Sequence, residues 1–385
     1  MRRIVLLIIG LAVVAAVAVQ LVRPVPDPKV RLLVAASYTF PGTAPVLPFP
    51  ETGEAAVDVG GLGSLGTSGA QTPTPTASVA KVMTAYLFLR DHPLSAGADG
   101  PTFTVSPEEA ARLDWRKERD ESLIDVKPNE PFTVRKALQA LMTVSANNIA
   151  HEIARWDSGD EAAFLAKMNG AARDLGMTTT TYTDPSGYDP STVSTAADQV
   201  KLLKAAFALP EFEQIVSLRS YTDVSGEPKS AGNQLLGEDG VIGGKTGYTS
   251  VAGANFVFAS RETEGTSSTL IIGAVMHQPS GLGAAPALEA ARLLIRSART
   301  AITGYRLAAK GDPVGWLDDG LGGLTRLLPP ADVTVLGWPG LTVPIRIALS
   351  GPATATLDTG GGPVVLSPER TPEDPSVLDR LTRLG

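Results

Sequence analysis

The longest apolar run of the chain lies at its start. Ile4 to Val22 is almost wholly apolar and follows Arg2 and Arg3. A run of this length can span a bilayer as a helix, and the positive charges before it would stay on the cytoplasmic side. We therefore expect residues 1–23 to be a signal anchor or a signal peptide. The apolar run continues past Ala16–Ala18, a candidate cleavage site, which favours an uncleaved, single-pass anchor in the cell membrane. In either case the body of the protein is expected outside the cytoplasm, and it would be secreted if the signal were cleaved.

The pattern after a linker, expected over residues 24–35, predicts one large domain over 36–303. Apolar positions recur at helical spacing through residues 107–173, and further helices are expected at 196–208 and 288–299. Strand-like segments surround this helical block, and the chain is expected to be strand-like after Pro210. Strands that bracket helices indicate an α+β domain in which the helices form an insert or a flank. The predicted strands are 31–37, 55–59, 241–249, 255–260 and 270–276.

The composition of the chain changes near residue 304. Gly, Pro, Val, Leu and Thr dominate from there, as in Val333–Gly337 and Leu341–Ile345. This pattern predicts a small β-rich C-terminal domain over residues 304–385, ending in a polar tail from Ser367. It contains no group of residues typical of catalysis.

Composition and charge narrow the chemistry. The 385 residues include no cysteine and three histidines, and the net charge is −7. A thiolate nucleophile and a cysteine metal cage are thereby excluded. The histidines are too scattered to indicate a metal site or a histidine-based serine triad, so we expect no metal and no cofactor. No basic patch indicates a nucleic-acid partner.

Three short motifs occur once each and in a fixed order: Ser78-Val79-Ala80-Lys81, Ser145-Ala146-Asn147 and Lys245-Thr246-Gly247. Each is weak by itself, because a serine three residues before a lysine is common on exposed helices. Together they supply a nucleophile, a base, a proton relay and a carboxylate site, which indicates an enzyme that acts through an acylated serine.

Ser78 and Lys81 form the expected catalytic pair. Residues three apart share one face of a helix, so the Lys81 amine can reach the Ser78 hydroxyl. Burial and a second cation, for which Lys245 is the candidate, would lower the pKa of Lys81 and make it a base. The free N–H groups of the helix start, together with the N–H of Tyr248, would stabilise an oxyanion.

The other motif residues are expected around the substrate. Ser145 would relay a proton to a leaving amine, and Asn147 would bind a substrate amide. Lys245 and Thr246 suit a substrate carboxylate. Gly247 lacks a side chain, so a substrate backbone could approach the strand closely.

These residues resemble the penicillin-recognising serine enzymes, above all the D-alanyl-D-alanine carboxypeptidase family of low-molecular-weight penicillin-binding proteins. The likeness extends over roughly residues 70–300. It departs from the family pattern at Ala80, Asn148 and Thr76, where threonine, aspartate and proline are frequent. The matching segments are Ala77–Thr84, Phe164–Met177, Asp184–Gly187, Ser194–Asp198, Gly244–Thr249 and Ala252–Gly253.

The resemblance implies a DD-peptidase/β-lactamase-like fold, an antiparallel sheet flanked by helices with a helical subdomain. It implies that Ser78 attacks the penultimate D-alanine of peptidoglycan stem peptides and releases the terminal D-alanine, and that β-lactams acylate the same serine. Alternatives are a DD-transpeptidase, a class A-like β-lactamase and a catalytically inactive cell-wall scaffold. No Glu-x-x-Leu-Asn motif lies between Asn147 and Lys245, which disfavours the β-lactamase.

Overall fold

The computed structural model describes residues 2–320, 323–351, 353–371, 376, 377 and 381. Within these residues the chain forms two compact units. The first takes its members from 1–44, 263–268 and 302–385, and the second from 45–262 and 269–301. We call them the terminal unit and the central unit. The predicted domain limits at 35/36 and 303/304 remain predictions.

Most helices of the described chain lie between residues 81 and 216, and runs of strands precede and follow them. The helices are α1 (Arg2–Val22), α2 (Lys81–Asp91), α3 (Pro107–Ala111), α4 (Leu113–Glu118), α5 (Val134–Thr143), α6 (Asn147–Ser158), α7 (Glu161–Asp174), α8 (Ala196–Phe207), α9 (Phe212–Val216) and α10 (Ala285–Ala301), with 3₁₀ turns at Ala77–Ala80 and Glu238–Gly240. The strands are β1 (Lys29–Leu32), β2 (Ser37–Thr39), β3 (Glu54–Val59), β4 (Gly63–Ser68), β5 (Thr74–Pro75), β6 (Thr102–Thr104), β7 (Pro131–Thr133), β8 (Val193–Ser194), β9 (Ser220–Thr222), β10 (Pro228–Ser230), β11 (Val241–Thr249), β12 (Gly253–Glu264), β13 (Ser267–Gln278), β14 (Thr303–Ala308), β15 (Gly315–Asp318), β16 (Leu324–Leu328), β17 (Val333–Gly337), β18 (Thr342–Pro344), β19 (Arg346–Leu349), β20 (Ala355–Asp358) and β21 (Pro363–Pro368).

The central unit is built on a five-stranded sheet with the order β11-β12-β13-β3-β4. The pairs β11/β12, β13/β3 and β3/β4 are antiparallel. Strand β11 lies at the edge of this sheet and carries the Lys-Thr-Gly motif, so among the described residues the motif is paired with a strand, β12, on one side only. The α+β architecture expected from the sequence is confirmed.

Helix α2 occupies the middle of the helical core. It contacts α5, α6, α7 and α8, and Val82, Met83, Leu87 and Phe88 are completely buried. A helix that is apolar on most sides must lie inside other helices rather than on a surface. The 3₁₀ turn that carries Ser78 leads directly into α2, so the core holds the turn in place.

Side-chain caps define where several helices begin. Thr133, Asp160 and Thr195 accept hydrogen bonds from backbone N–H groups in the first turns of α5, α7 and α8. Helix α6 differs, because its N-cap residue is Ala146 and, among the residues that the structure describes, no side chain caps it. Its start is instead fixed by the Asn147 N–H, which donates to the Ser122 carbonyl oxygen at 2.8 Å.

The strand-like pattern expected directly after Pro210 was wrong for its first residues. Phe212–Val216 is helical (α9), and Phe212, Ile215 and Val216 are buried. Their spacing of three and four residues puts all three on the face of the helix that meets the core. Tertiary packing therefore outweighs the β-propensity of the isoleucine and valine.

The terminal unit is mainly β-structure. Its largest sheet has the order β1-β15-β16-β21-β20-β19, which agrees with the β-rich composition. The single strand expected over Arg31–Ser37 is instead two, β1 and β2, and β1 lies inside the segment predicted to be a linker. Most of the polar tail after Glu369 lies outside the described residues.

Helix α1 is long and apolar enough to cross a membrane. Its segment Ile4–Val22 has a mean hydropathy of 2.9, and none of that segment is buried within the protein. A long apolar helix without protein cover is compatible with either an anchor or a signal sequence.

Candidate active site

Ser78 and Lys81 meet in the turn before α2. The prediction that their side chains are neighbours is confirmed: Lys81 Nζ lies 2.9 Å from Ser78 Oγ. The local geometry is 3₁₀ rather than α-helical, because Ala77–Ala80 forms a 3₁₀ turn. Residues three apart eclipse each other in that geometry, which brings the two side chains together.

The Lys81 amine has two further partners. Nζ donates to Asn147 Oδ1 at 2.6 Å and to the Ser186 carbonyl oxygen at 2.7 Å. The side chain is fully buried. A neutral amine has two hydrogens and one lone pair, so it can satisfy both acceptors and still accept the Ser78 hydroxyl hydrogen.

The charge state of Lys81 follows from its surroundings. Burial first, and then the positive charge of Lys245, lower the pKa of the Lys81 amine well below its usual value. Asp184 and Glu121 act in the opposite direction but are outweighed. Lys81 is therefore able to be a neutral base, by the two causes that the sequence predicted.

Two glycines let neighbouring segments close on the Ser78 turn. A Cβ at Gly187 would stand 1.8 Å from the Ala77 carbonyl oxygen. A Cβ at Gly247 would stand 3.0 Å from Ser78 N and 2.9 Å from the Thr76 carbonyl oxygen. Gly247 thus makes room for the turn itself. Its expected role beside a substrate backbone remains a prediction.

The loop that carries Gly187 also shapes the site. Asp184 accepts hydrogen bonds from the backbone N–H groups of Ser186, Gly187 and Tyr188, at 3.0–3.2 Å. These bonds fold the loop tightly and direct the Ser186 carbonyl oxygen to Lys81 Nζ. The Asp184–Gly187 segment therefore provides a backbone acceptor for the candidate base.

Ser145 stands at a strained corner between α5 and α6. Its φ is +65°, a left-handed conformation that is uncommon for a residue other than glycine. Its hydroxyl oxygen is buried and has no hydrogen-bond partner within the part of the chain that the structure describes. Strain and an unpaired polar atom both cost stability, and such costs are typical of functional sites.

Asn147 lies behind Lys81, away from the cleft. Its Oδ1 accepts from Lys81 Nζ, and its Nδ2 donates to Glu121 Oε2 at 3.1 Å. Both ends of the amide are thus used inside the protein, and the side chain is buried. The structure gives Asn147 a contact with the candidate base, while its predicted contact with a substrate amide stays a prediction.

Lys245 is the second buried lysine of the site. Nζ donates to the Thr246 carbonyl oxygen at 2.8 Å, and burial lowers the pKa of this amine to about 7. A carboxylate bound beside it would favour its charged form. Thr246, the next residue, is 9% exposed and lines the cleft.

A cleft of about 650 Å³ brings most of the motif residues together. Ser78 and Ser145 lie on its surface with the strand residues of β11, whereas Lys81 and Asn147 lie beneath it. Tyr248 is at the rim, and its hydroxyl oxygen accepts from the Gly281 N–H at 2.9 Å. The cleft residues from the predicted motifs are Ser78, Ser145, Lys245, Thr246, Gly247 and Tyr248.

Sequence reasoning missed three residues that the structure places at this site. Glu121 holds the Asn147 amide, and no motif marks it in the sequence. Ser186 acts through its carbonyl oxygen, and the only available signal was the Asp184–Gly187 segment. Gly232 faces Thr246, since a Cβ there would stand 2.5 Å from the threonine hydroxyl oxygen.

Among the described residues, no group of three or more His, Asp or Glu side chains is arranged to hold a metal ion.

The sheet, the flanking helices and the gathered motifs are those of the penicillin-recognising enzymes. The family profile described as D-alanyl-D-alanine carboxypeptidase matches residues 65–279, more than half of the chain. The chain belongs to this family, and the resemblance seen in the sequence is confirmed.

Individual relatives agree with this assignment. The chain is 40% identical over 148 residues to the D-alanyl-D-alanine carboxypeptidase DacB2 of Mycobacterium tuberculosis, covering 36% of this chain and 49% of that protein. A solved D-alanyl-D-alanine carboxypeptidase from M. tuberculosis superposes with a TM-score of 0.55 at 28% identity, over 67% of this chain and 96% of the other. Penicillin-binding protein 6B from Escherichia coli shares the fold, with a TM-score of 0.61 at 22% identity over 86% and 98%.

The sequence matches to curated relatives are partial. They span 49%, 62% and 40% of the length of three such relatives. The activity and substrates of those whole proteins therefore apply to this chain only as a proposal.

Proposed function

We propose that the chain is a serine-type D-alanyl-D-alanine carboxypeptidase that removes the terminal D-alanine of peptidoglycan stem peptides. The observation that carries the proposal is the 2.9 Å contact between Ser78 Oγ and Lys81 Nζ. A buried amine of lowered pKa beside a serine hydroxyl is the arrangement of an activated nucleophile. Family membership supports the same reaction.

Acylation begins with proton transfer from Ser78 to Lys81. Ser78 Oγ forms a bond to the carbonyl carbon of the penultimate D-alanine, and the Lys81 amine takes up the hydroxyl proton. The carbonyl oxygen becomes an oxyanion, for which the backbone N–H groups of Ser78 and Tyr248 are the proposed donors. Strand β11 runs so close to the Ser78 turn that a Cβ at Gly247 would stand 3.0 Å from Ser78 N. This closeness supports the use of both backbone N–H groups as oxyanion donors.

The terminal D-alanine then leaves as an amine. The bond between the carbonyl carbon and the D-alanine nitrogen breaks as the oxyanion returns to a carbonyl. Ser145 passes its proton to that nitrogen and regains one from the protonated Lys81 amine, which becomes neutral again. Lys245 and Thr246 hold the carboxylate of the departing D-alanine during this step. The unpaired, buried hydroxyl of Ser145 supports the relay, since a substrate amine would provide its missing partner.

Hydrolysis of the ester completes the reaction. A water molecule loses a proton to the neutral Lys81 amine and attacks the acyl carbon, and the Ser78–carbonyl bond breaks as Ser78 regains that proton from Lys81. The product is the stem peptide shortened by one residue. β-Lactams would acylate the same serine and remain bound because their adducts are hydrolysed slowly.

We also propose that this site works outside the cytoplasm. Helix α1 is long and apolar enough to span a membrane, and the basic residues at its start favour an orientation with the N-terminus inside. Peptidoglycan lies on the other side of that membrane. The proposed substrate and the proposed location therefore agree.

The decisive experiment measures D-alanine release by the full chain in detergent from a stem pentapeptide ending in D-Ala-D-Ala. The wild type should release D-alanine and take a fluorescent penicillin label, and Ser78→Ala should lose both. Ser217→Ala, an exposed serine of the central unit, is the matched control and should keep both.

Other outcomes separate the alternatives. A wild type that takes no label contradicts the enzyme proposal and favours an inactive scaffold. Labelling without D-alanine release contradicts a carboxypeptidase. A peptide joined to an added amine acceptor would identify a transpeptidase, and rapid turnover of the penicillin would identify a β-lactamase.

A further inference from the structure

A chain of buried charged side chains begins at Glu121, which also lines the cleft. Glu121 contacts Arg116, and Arg116 contacts Glu109, which in turn meets Arg155. Glu109, Arg116 and Glu121 are each at most 8% exposed. Burying charged groups costs desolvation free energy that even good pairing often only offsets. Stability alone therefore does not explain a network of this kind.

Glu121 connects this network to the candidate base. Its Oε2 accepts from Arg116 Nη1 at 2.8 Å and from Asn147 Nδ2 at 3.1 Å. Its Oε1 accepts from Arg119 Nε at 3.3 Å. A carboxylate can only accept hydrogen bonds, so it forces the NH₂ end of the Asn147 amide to face it.

The orientation of that amide decides what Lys81 meets. With Nδ2 on Glu121, Oδ1 points to Lys81 Nζ at 2.6 Å. A rotated amide would present NH₂ to the amine and remove an acceptor from it. Glu121 therefore determines, through Asn147, that Lys81 has an acceptor on this side.

The position of Glu121 is itself supported on both sides. Glu109 accepts from Arg116 with both oxygens, through Nε and Nη2. Asn148 donates to the Ile124 carbonyl oxygen at 2.9 Å and accepts from the Ile124 N–H at 3.4 Å. The segment that carries Glu121 is thereby tied to α6, the helix that carries Asn147.

Charge acts in addition to orientation. The charged groups that face Lys81 are Lys245 from β11, Asp184 from the loop before β8, and Glu121 and Arg116 from the α4 region. Lys245 and Arg116 lower the pKa of Lys81, whereas Asp184 and Glu121 raise it. Glu121 thus opposes the repulsion from Lys245.

We propose that Glu121 is a positioning residue for Lys81: it accepts a hydrogen bond from the Asn147 Nδ2 and thereby directs Asn147 Oδ1 to the Lys81 amine. This inference rests on the proposed function, because it takes Lys81 as the base. Sequence reasoning assigned no role to Glu121.

The test is the pH profile of acylation by a fluorescent penicillin, measured for the full chain in detergent. Acylation requires neutral Lys81, so its rate falls on the acidic side where Lys81 gains a proton. Glu121→Gln removes a negative charge, which lowers the pKa of Lys81. We therefore expect this acidic limb to move to lower pH by about half a unit or more, and the plateau rate to fall by up to about tenfold because the amide is less firmly held.

Glu152→Gln is the matched control. Glu152 is a buried carboxylate on the same helix as Asn147, and it contacts Ser106 and Arg155. Its loss should lower stability without moving the acidic limb. An equal shift in Glu152→Gln and Glu121→Gln would contradict a specific role for Glu121.

Arg119→Gln provides a second variant in case Glu121→Gln does not fold. Arg119 is an exposed residue that contacts Glu121. Without the Arg119 charge, Glu121 stabilises protonated Lys81 more strongly, and the pKa of Lys81 rises. The acidic limb should therefore move to higher pH by a few tenths of a unit, the opposite direction to Glu121→Gln.

The two hypotheses fail in different ways. A wild type that takes no label contradicts the proposed function. A labelled wild type whose limb is unchanged in Glu121→Gln, or in Arg119→Gln if only that variant folds, contradicts the role of Glu121 alone.

Discussion

The turn at Ala77–Lys81 and the strand segment at Lys245–Tyr248 each bring one buried lysine to the cleft. The two lysines differ in their hydrogen-bond partners. Lys81 Nζ contacts Ser78, Asn147 and Ser186, whereas Lys245 Nζ donates to the backbone of its neighbour. Burial lowers the pKa of Lys245 to about 7. Burial and the charge of Lys245 together lower the pKa of Lys81 well below its usual value.

The difference shows how one cleft can give two buried lysines different surroundings, as the two proposed roles require. Lys81 is surrounded by groups that a neutral amine can satisfy, and it lies beneath the cleft. Lys245 lies on the cleft and titrates near neutral pH, so an arriving carboxylate can stabilise its charge. The charged form of Lys245 in turn disfavours a proton on Lys81.

The largest expected effect comes from removing the lysine of the turn. Lys81→Met should reduce acylation by penicillin about 10³-fold, because the loss of a general base costs about 10²- to 10⁴-fold. Stopped-flow labelling measures it. Lys204→Met, an exposed lysine of α8, is the control and should label at the wild-type rate. Normal labelling of Lys81→Met would mean that another group activates Ser78.

A smaller effect is expected from removing the lysine of the strand. Lys245→Met should lower kcat/KM for a peptide with a free terminal carboxylate by about 10- to 100-fold, the usual cost of losing a hydrogen bond to a charged group. The change should appear mainly in KM.

A second peptide, with a carboxamide in place of the terminal carboxylate, tests whether Lys245 recognises the carboxylate. A peptide with a terminal carboxamide should be a poor substrate of the wild type, and Lys245→Met should discriminate little between the two peptides. If the variant still prefers the carboxylate as strongly as the wild type does, Lys245 does not bind it.

The smallest effect is expected from a substitution at the contact between strand β11 and the Ser78 turn. Gly247→Ala would place a Cβ 2.9–3.0 Å from the backbone of the turn, and overpacking of this kind costs about 1–3 kcal/mol. Thermal unfolding should show a lower Tm, and labelling of Ser78 should slow as the turn moves.

Gly170 in α7 offers a control for that substitution. A Cβ there would meet nothing closer than 3.8 Å, and alanine is the better helix former. Gly170→Ala should therefore be neutral or stabilising. An equally stable Gly247→Ala would show that the strand and the turn can separate without cost.

Much of this site was predictable because its chemistry is carried by local spacing. Ser78 and Lys81 are three residues apart, so almost any helical turn brings them together. The lowering of the Lys81 pKa also followed from burial and a second lysine. The role of Asn147 did not follow, because the partners of an amide depend on segments far away in the sequence.

The sequence alone determined the membrane-spanning length of α1, the α+β class, the order of the three motifs and the proximity of Ser78 to Lys81, since each depends on composition or on short-range spacing. Tertiary structure decided which groups surround the base. Glu121, Asn147 and Ser186 come from separate segments, and only their packing around α2 brings them to Lys81. The reason is physical: spacing along a chain determines local neighbours, whereas desolvation and hydrogen-bond partners in a core depend on where distant segments meet.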